Sequence, residues 1–184
     1  YGGASFGLIK AKIPHKVVGY SDIDKDAIEL YEYNFSNIRN YGDITQINET
    51  TLPDFDLFTG GFPCQPFSTV GKMLGELDTR GTLFYDIIRI CEYKRPKFIL
   101  LENVRGLLGK KHRPTFNKII SELNRIGYNN VQYAVLNSKN YGIPQNRDRL
   151  WIFGQLGGLP NGFVLEPPHI ELKYKIKDFL DKNP

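Results

Sequence analysis

The sequence predicts an α/β fold with one mostly parallel sheet flanked by helices, and it leaves open an antiparallel edge formed by the last strands. Two observations support this class. Short apolar runs of strand length alternate along the 184 residues with segments whose apolar residues recur at helical spacing. Strands that alternate with helices are typical of a mostly parallel sheet. With 41% hydrophobic residues and no internal repeat, the chain can bury one good core, so we expect a single folded domain.

Apolar runs predict the strands of this sheet. The five candidate segments are residues 15–22, 55–61, 97–104, 131–136 and 149–154. The run at 97–104 is almost continuously apolar, which favours a strand that is buried on both faces.

Three segments predict helices, because their apolar residues recur three or four positions apart: residues 24–35, 82–93 and 115–128. Asp24 is an acceptable N-cap for the first helix. Pro96 ends the second, and Gly127 is a plausible stop for the third.

Charge and composition limit the function classes. The formal net charge of +4 is ordinary for a soluble protein and points only weakly toward a polyanionic partner. No apolar run approaches the ~20 residues of a membrane span, and the first residues lack the layout of a secretory signal. We therefore expect a cytoplasmic (nucleoid) or nuclear protein without a membrane partner.

The two cysteines indicate neither a disulfide framework nor a metal site, because they lack CxxC spacing and partner histidines. Cys91 completes the apolar face of a predicted helix, so we interpret it as a small buried hydrophobic residue. Cys64 instead follows a predicted strand, between Pro63 and Pro66, which stiffen the turn. A thiol held at the ligand edge of a sheet indicates a nucleophile.

Other strand ends also carry residues that are capable of chemistry. Ligands of α/β sheets bind beyond the carboxyl ends of the strands. The candidates there are Gly2-Gly3, residues 22–24, residues 61–68 and Glu102-Asn103, with the run PQNRDR before the last strand. Taken singly, such glycines usually form turns and such acidic residues usually cap helices.

Three motifs give these residues a common meaning. GGFPCQPFS, LLENVRGL and YGIPQNRDRLWIFG resemble, in order and spacing, the motifs of the cytosine-C5 DNA methyltransferase family. Three weaker likenesses extend the resemblance over nearly the whole chain: YGGASFGL to the cofactor-loop glycine motif, GYSDIDKDA to the ribose-binding acidic motif and GDITQIN to the adenine-edge motif. Only the Pro-Cys-Gln block is specific by itself. The ordered set implies a Rossmann-like S-adenosylmethionine-dependent methyltransferase fold.

The resemblance implies transfer of a methyl group from S-adenosylmethionine to C5 of a flipped-out cytosine in DNA. Cys64 would bond covalently to C6, which pushes electron density to C5. Glu102 would hydrogen-bond to N3 or protonate it, and Arg147 would contact the cytosine carbonyl oxygen. Arg147 and Arg149 would favour the thiolate. Asn103 would orient Glu102 and the loop backbone around Cys64, while the base that removes the C5 proton stays unidentified.

The cofactor residues follow from the same resemblance. Gly2 and Gly3 would allow close backbone approach, Asp22 would bind the ribose and Asp43 the adenine edge. The apolar neighbours of the adenine would be Ile23 and Ile44, and the site would also include Gly61, Pro63 and Leu83. A nicotinamide site is the alternative, but the chain lacks a full GxGxxG, and that alternative leaves the cysteine block unexplained.

Double-stranded DNA is the partner that the resemblance implies. Residues 66–84 are predicted to close over the extruded base. The residues expected to contact DNA are Gln65, Ser68, Lys72 and Arg80. A second basic loop, RGLLGKKHRP, is equally compatible with phosphate contact and with simple solvation.

Residues 1–184 are interpreted as a partial catalytic domain, because family members continue beyond this point into a target-recognition domain. We expect that domain to be absent here and, in a split enzyme, to be carried by a complementary chain. We also expect the 184 residues alone to bind the cofactor weakly and DNA without sequence preference. A tRNA methyltransferase of the same family and an inactive subunit or fragment that needs a partner chain stay open as alternatives.

Overall fold

The computed structural model describes residues 2–62 and 83–180. Its helices are α1 (Gly3–Lys10), α2 (Lys25–Asn34), α3 (Leu83–Lys94) and α4 (Arg113–Arg125). Its strands are β1 (Leu57–Gly61), β2 (Phe98–Val104), β3 (Gln132–Asn137) and β4 (Asp148–Gln155). Short 3₁₀ turns at Ile44–Gln46, Glu49–Thr51, Arg105–Leu108, Ser138–Asn140 and Ile176–Phe179 connect or follow them.

The strands form one mixed sheet in the order β1-β2-β4-β3. β1 pairs with β2 in parallel, and β4 pairs antiparallel with both β2 and β3. β1, β2 and β3 therefore run in the same direction and β4 runs against them. This confirms the predicted α/β sheet and the antiparallel arrangement among the last strands, although the reversed strand β4 lies inside the described sheet and β3 forms its edge.

The predicted strand at residues 15–22 is wrong as a ladder. Tyr20 makes one isolated parallel bridge with Asn40, through Tyr20 N–H to the Arg39 carbonyl and Tyr41 N–H to the Tyr20 carbonyl. A run of apolar residues becomes a strand only where a neighbouring chain pairs with it along its length, and this segment meets its neighbour at one point.

Helix boundaries follow the caps. Asp24 accepts a hydrogen bond from Ala27 N–H at 2.8 Å and starts α2 as predicted. α4 starts at Arg113, two residues earlier than predicted, because Pro114 fits the first turn of a helix. α1 was not predicted, since its two glycines, Gly3 and Gly7, have low helix propensity.

The core lies between the sheet and α3 and α4. Side chains alternate along a strand, so Ile99 and Leu101 of β2 share a face with Leu150 and Ile152 of β4. These four residues are fully buried and pack in one cluster with the apolar stripes of the two helices, including Ile87 from α3. The opposite face of the sheet carries Glu102.

Arg89 of α3 attaches the segment before β1 to this core. Its guanidinium donates to the carbonyls of Ile47 at 2.7 Å and Ile44 at 3.0 Å, and it pairs with Asp86 and Glu49. α3 thereby fixes the position of the turn that begins with Asp43 and Ile44. In the parts of the chain that the structure describes, no helix has the length and apolar character that crossing a membrane requires.

Tyr128 gives a test of how the turn after α4 is held. Its side chain is fully buried and its hydroxyl donates to the Pro96 carbonyl at 2.6 Å. Tyr128→Phe leaves this buried acceptor without its donor, so the free energy of unfolding should fall by about 1–2 kcal/mol in urea titrations followed by circular dichroism. Tyr133→Phe is the matched control, because Tyr133 is 46% exposed and the variant keeps the ring contact with Phe116. Equal losses in the two variants would contradict a specific role for the Tyr128 hydroxyl.

Candidate active site

A carboxylate and a guanidinium meet at the carboxyl end of β2. Arg149 Nε lies 2.7 Å from Glu102 Oε1, with 23% and 32% of the two side chains exposed. Val104 pairs with Arg149 across the β2–β4 ladder, so Glu102 and Arg149 occupy the same face one diagonal step apart. Arg149 Nη1 also donates to the Asp148 carbonyl at 2.9 Å, which fixes the direction of the guanidinium. The pair is half-buried and open to a ligand on one side.

Gly61 lies directly beside Glu102, since the two residues are partners in the parallel β1–β2 ladder. A Cβ atom at position 61 would stand 3.4 Å from Glu102 Oε2. Glycine therefore leaves the space above β1 open next to the carboxylate.

Asn103 holds the backbone that leads out of β1. Its side chain is 2% exposed, and its Nδ2 donates to the Phe62 carbonyl at 2.9 Å. Its Oδ1 accepts from Val104 N–H at 2.8 Å. The predicted orienting role thus has a contact on the loop side, at the residue before Pro63. Pro63, Cys64, Gln65, Ser68, Lys72 and Arg80 lie outside the described residues.

Arg147 stands apart from the carboxylate. It precedes β4 and is exposed, and its carbonyl accepts from Ser138 N–H at 3.2 Å. Of the two arginines in the PQNRDR run, the structure brings Arg149 to Glu102.

Asp22 and Asp43 belong to two loops that one amide ties together. Asn40 Oδ1 accepts from Asp22 N–H at 3.2 Å and Gly42 N–H at 2.9 Å, while Asn40 Nδ2 donates to the Asp22 carbonyl at 3.0 Å. Ser21 Oγ adds a 2.6 Å bond to the Gly42 carbonyl. The two carboxylates predicted to share one ligand are therefore carried by neighbouring loops.

The predicted apolar neighbours of the ligand differ in exposure. Ile23 is 71% exposed, whereas Ile44 is partly buried and packs against the core. Leu83 begins α3 and is partly buried.

The two glycines at the start of the chain form the turn into α1. Gly2 has a φ of 78°, and a Cβ atom there would come within 2.4 Å of the Phe35 ring, so this position requires glycine. A Cβ atom at Gly3 would meet nothing within 4 Å. Gly3 therefore leaves open space at the first turn of the helix.

Comparison with known proteins assigns this arrangement to a family. A family model described as C-5 cytosine-specific DNA methylase matches residues 1–183. The chain belongs to this family. It is 46% identical over 163 residues to Type II methyltransferase M.BanI of Aneurinibacillus aneurinilyticus, covering 86% of this chain and 37% of that protein. It is 48% identical over 139 residues to Type II methyltransferase M1.ScrFI of Lactococcus lactis subsp. cremoris, covering 76% of this chain and 35% of that protein.

Solved structures of methyltransferases share the fold of this C-5 cytosine-specific DNA methylase chain. The crystal structure of S. pombe Dnmt2 methyltransferase matches with a TM-score of 0.67 and 25% identity, over 96% of this chain and 51% of that one. A Spodoptera frugiperda DNMT2 mutant matches with a TM-score of 0.68 at 24% identity, over 93% of this chain and 51% of that one. The chain thus spans about half or less of the length of these proteins.

Asn40 is the site residue that sequence reasoning missed in this methylase-family chain. It lies in a segment without periodicity, and its importance comes from two loops that meet 18 residues apart. Its position three residues before Asp43, in NYGD, is the only signal that the sequence offers. Within the described ranges, no group of three or more His, Cys, Asp or Glu residues has the arrangement of a metal site.

The two cysteines should differ in reactivity. Cys91 is 1% exposed, and burial raises the pKa of its thiol to about 12, so at pH 8 it is protonated and shielded. Iodoacetamide at pH 8 should therefore label Cys64 in the folded chain and both cysteines in urea, as mass spectrometry of peptides would report. Folded Cys64→Ser should take up no label. Labelling of Cys91 in the folded chain at its unfolded rate would contradict this difference.

Proposed function

We propose that this chain carries the machinery that transfers a methyl group from S-adenosylmethionine to C5 of a cytosine in DNA, through a covalent bond between Cys64 and C6. One observation carries the proposal. The Glu102–Arg149 pair stands at the same sheet edge as Phe62, whose carbonyl Asn103 holds and whose chain continues into Pro63-Cys64. A nucleophile, a carboxyl and a guanidinium are then available to one flat heterocycle.

Cytosine C5 is a poor nucleophile, so the reaction needs a temporary bond at the neighbouring carbon. The Cys64 thiolate attacks C6, a C–S bond forms and the C5–C6 double-bond electrons move toward C5 and N3. C5 then takes the methyl group, a base removes the C5 proton, and the C–S bond breaks to restore the ring and the thiolate. The sulfonium of S-adenosylmethionine supplies the methyl group as a cation equivalent when it is bound.

Glu102 and Arg149 stabilise the charge that attack at C6 places on the ring. Glu102 hydrogen-bonds at N3 and holds the exocyclic amine. Arg149 contacts the carbonyl oxygen, a role that the sequence assigned to Arg147, because Arg149 is the guanidinium that stands against Glu102. Arg147 is exposed beside the edge and is left to contribute positive potential near the thiolate.

The residues at the first sheet edge fit an adenosine. Asp22 Oδ1 accepts from Asp24 N–H at 3.0 Å, and Asp43 Oδ1 accepts from Thr45 N–H and Oγ1 at 2.9 and 2.8 Å. All these bonds use Oδ1, so Oδ2 of each carboxylate is the oxygen for the ribose hydroxyls and the adenine amine. Exposed Ile23 and partly buried Ile44 flank the adenine. Gly2, Gly3, Gly61, Pro63 and Leu83 complete the proposed S-adenosylmethionine site.

A cytosine inside a duplex cannot reach a thiol at a sheet edge, so the base must leave the stack. Gln65, Ser68, Lys72 and Arg80, which follow Cys64 in sequence, are proposed to contact the DNA around the extruded base.

Substitution of Cys64 tests the covalent step. Duplex DNA that contains 5-fluorocytosine should trap the protein as a complex that survives denaturing electrophoresis, because fluorine at C5 cannot leave as the proton does. Cys64→Ser should abolish trapping and tritiated methyl transfer, and Cys91→Ala is the matched control that keeps both. The variants are compared in this chain and in a chimera that carries its matched residues within M.BanI, with RNA of the same sequence as a parallel substrate. Trapping by Cys64→Ser in the chimera would overturn the assignment, and transfer confined to RNA would replace DNA as the substrate.

A double-mutant cycle tests whether Glu102 and Arg149 act together. In the same chimera, Glu102→Gln should lower kcat by roughly 10²-fold or more, the usual scale for a positioned acid. Arg149→Gln should cause a similar loss, and the double variant should lose much less than the product of the two, since both residues serve one ring. Arg147→Gln, the matched control two residues away, should change kcat least. A larger loss for Arg147→Gln than for Arg149→Gln would return the carbonyl contact to Arg147, and an effect of Glu102→Gln on cofactor affinity alone would refute its role at N3.

A further inference from the structure

A second polar cavity opens at the same sheet edge as Glu102. Its volume is about 820 Å³, and its lining includes Arg105 and Gly106 from the turn after β2, Asn137 and Asn140 around the turn after β3, and Asp148 at the start of β4. Adjacent strand residues point to opposite faces, so Asp148 faces this cavity while Arg149 faces Glu102. The cavity thus adjoins the candidate active site across the thickness of the sheet.

The side chains around this cavity are already organised by hydrogen bonds. Arg105 Nη1 lies 3.0 Å from Asp148 Oδ2, and Asn137 Nδ2 lies 2.7 Å from Asp148 Oδ1. The Arg105 hydrogen bond is the largest of the effects that hold the pKa of Asp148 below its usual range, so this carboxylate is charged at neutral pH. Arg105 keeps 69% of its side chain exposed despite the pair, so its outer nitrogens face solvent.

The segments around the cavity have an unbalanced charge. Residues 105–113 and 137–140 contain five lysines and arginines and no aspartate or glutamate. All five are exposed: Arg105, Lys110, Lys111, Arg113 and Lys139. Lys139 stands close enough to Asp148 to lower the pKa of that carboxylate. Asp148 therefore offsets one of five positive charges, and the surface as a whole attracts anions.

The spread of these cations favours an extended polyanion over a small one. A lone phosphate needs donors that converge on one point, whereas these cations are distributed along two loops that border an open cavity. A nucleic-acid backbone presents its charges at regular intervals and meets such a surface along its length. The side-chain amides of Asn137 and Asn140 add neutral polar groups between the cations.

We propose that Arg105 and Lys139 bind backbone phosphates of the nucleic acid that flanks the target base, one on each side of this cavity. The inference rests on the proposed function, because nucleic acid is taken as the substrate. It adds a grip on the opposite face of the sheet from Glu102 and outside the segment that follows Cys64.

The salt dependence of binding tests this grip in the 184-residue chain. Fluorescence anisotropy with a labelled mixed-sequence duplex gives Kd over a series of salt concentrations. Each phosphate contact adds about 0.9 to the magnitude of the slope of log K against log salt for duplex DNA and about 0.7 for a single strand. Arg105→Gln and Lys139→Gln should each reduce the slope by about that amount, and the double variant by about twice as much. Arg105→Lys, which keeps the charge, should restore most of the slope.

Lys97→Gln is the matched control, since Lys97 is an exposed cation that precedes β2 at the opposite end of the sheet. An equal slope change in this variant, or no slope change in the Arg105 and Lys139 variants, would overturn the proposal. So would a wild-type chain that fails to bind the duplex at low salt. Urea titrations establish that each variant is folded, and the exposed Arg105–Asp148 pair should cost at most ~1 kcal/mol when removed.

Two further arms separate the sources of phosphate and the two proposals. A single-stranded RNA with a smaller slope change than the duplex points to DNA, and the reverse points to RNA. Inorganic phosphate that displaces the duplex better than chloride of equal ionic strength would show a small-anion pocket and overturn the extended grip. If Glu102→Gln abolishes methyl transfer in the chimera while the Arg105 and Lys139 slopes stay unchanged, the proposed function stands and this inference fails. If the slopes change as expected but Cys64 variants still methylate, the grip stands and the proposed catalytic step fails.

Discussion

The antiparallel register between β2 and β4 is the constraint on which the candidate site depends. Val104 pairs with Arg149, and this pairing sets a carboxylate and a guanidinium on one face at hydrogen-bonding distance. A slip of one residue would turn Arg149 toward the helices and Asp148 toward Glu102, which would place two carboxylates together. Burial of Ile99, Leu101, Leu150 and Ile152 against α3 and α4 prevents that slip, because the same shift would expose the core residues of β4. Hydrophobic packing on one face therefore fixes the chemistry on the other.

Two amide side chains extend this order from the sheet into the loops. Asn103 binds the Phe62 carbonyl, and Asn40 joins the loops of Asp22 and Asp43. An amide offers a donor and an acceptor at once, so it can satisfy the backbone groups that irregular loops leave unpaired. Loops that carry functional groups need such support, since they lack the ladders that hold strands in place.

Sequence patterns predicted most of the architecture because the core elements have strong periodicity. The stripes of α2, α3 and α4 and the apolar runs of β1 to β4 appear within a few residues of their predicted bounds. The segment at 15–22 failed for a reason outside its own residues, since only its contact with Asn40 shows how little of it is paired. Asn40 itself was missed because its role exists only once two distant loops have met.

The two arginines show where local pattern stops being informative about the site. Arg147 and Arg149 are two positions apart, and within a single strand they would point to the same face. β4 begins at Asp148, so Arg147 lies outside the ladder and its side chain is free of the alternation that directs Arg149 to Glu102. The boundary of a strand is set by pairing with neighbours, and periodicity in one segment does not reveal it.

The start of β4 also explains how binding and catalysis can be coupled without a long-range mechanism. Asp148 and Arg149 are consecutive residues that point to opposite faces, one toward Arg105 and the cavity and the other toward Glu102. A phosphate that draws Arg105 away from Asp148 leaves that carboxylate held by Asn137 alone, at the residue whose carbonyl accepts from Arg149. Any shift of the Asp148 backbone is then transmitted directly to the guanidinium beside Glu102. Backbone contact on one face and base recognition on the other would share a single peptide unit, so the strand that closes the core also links substrate grip to the geometry of the catalytic pair.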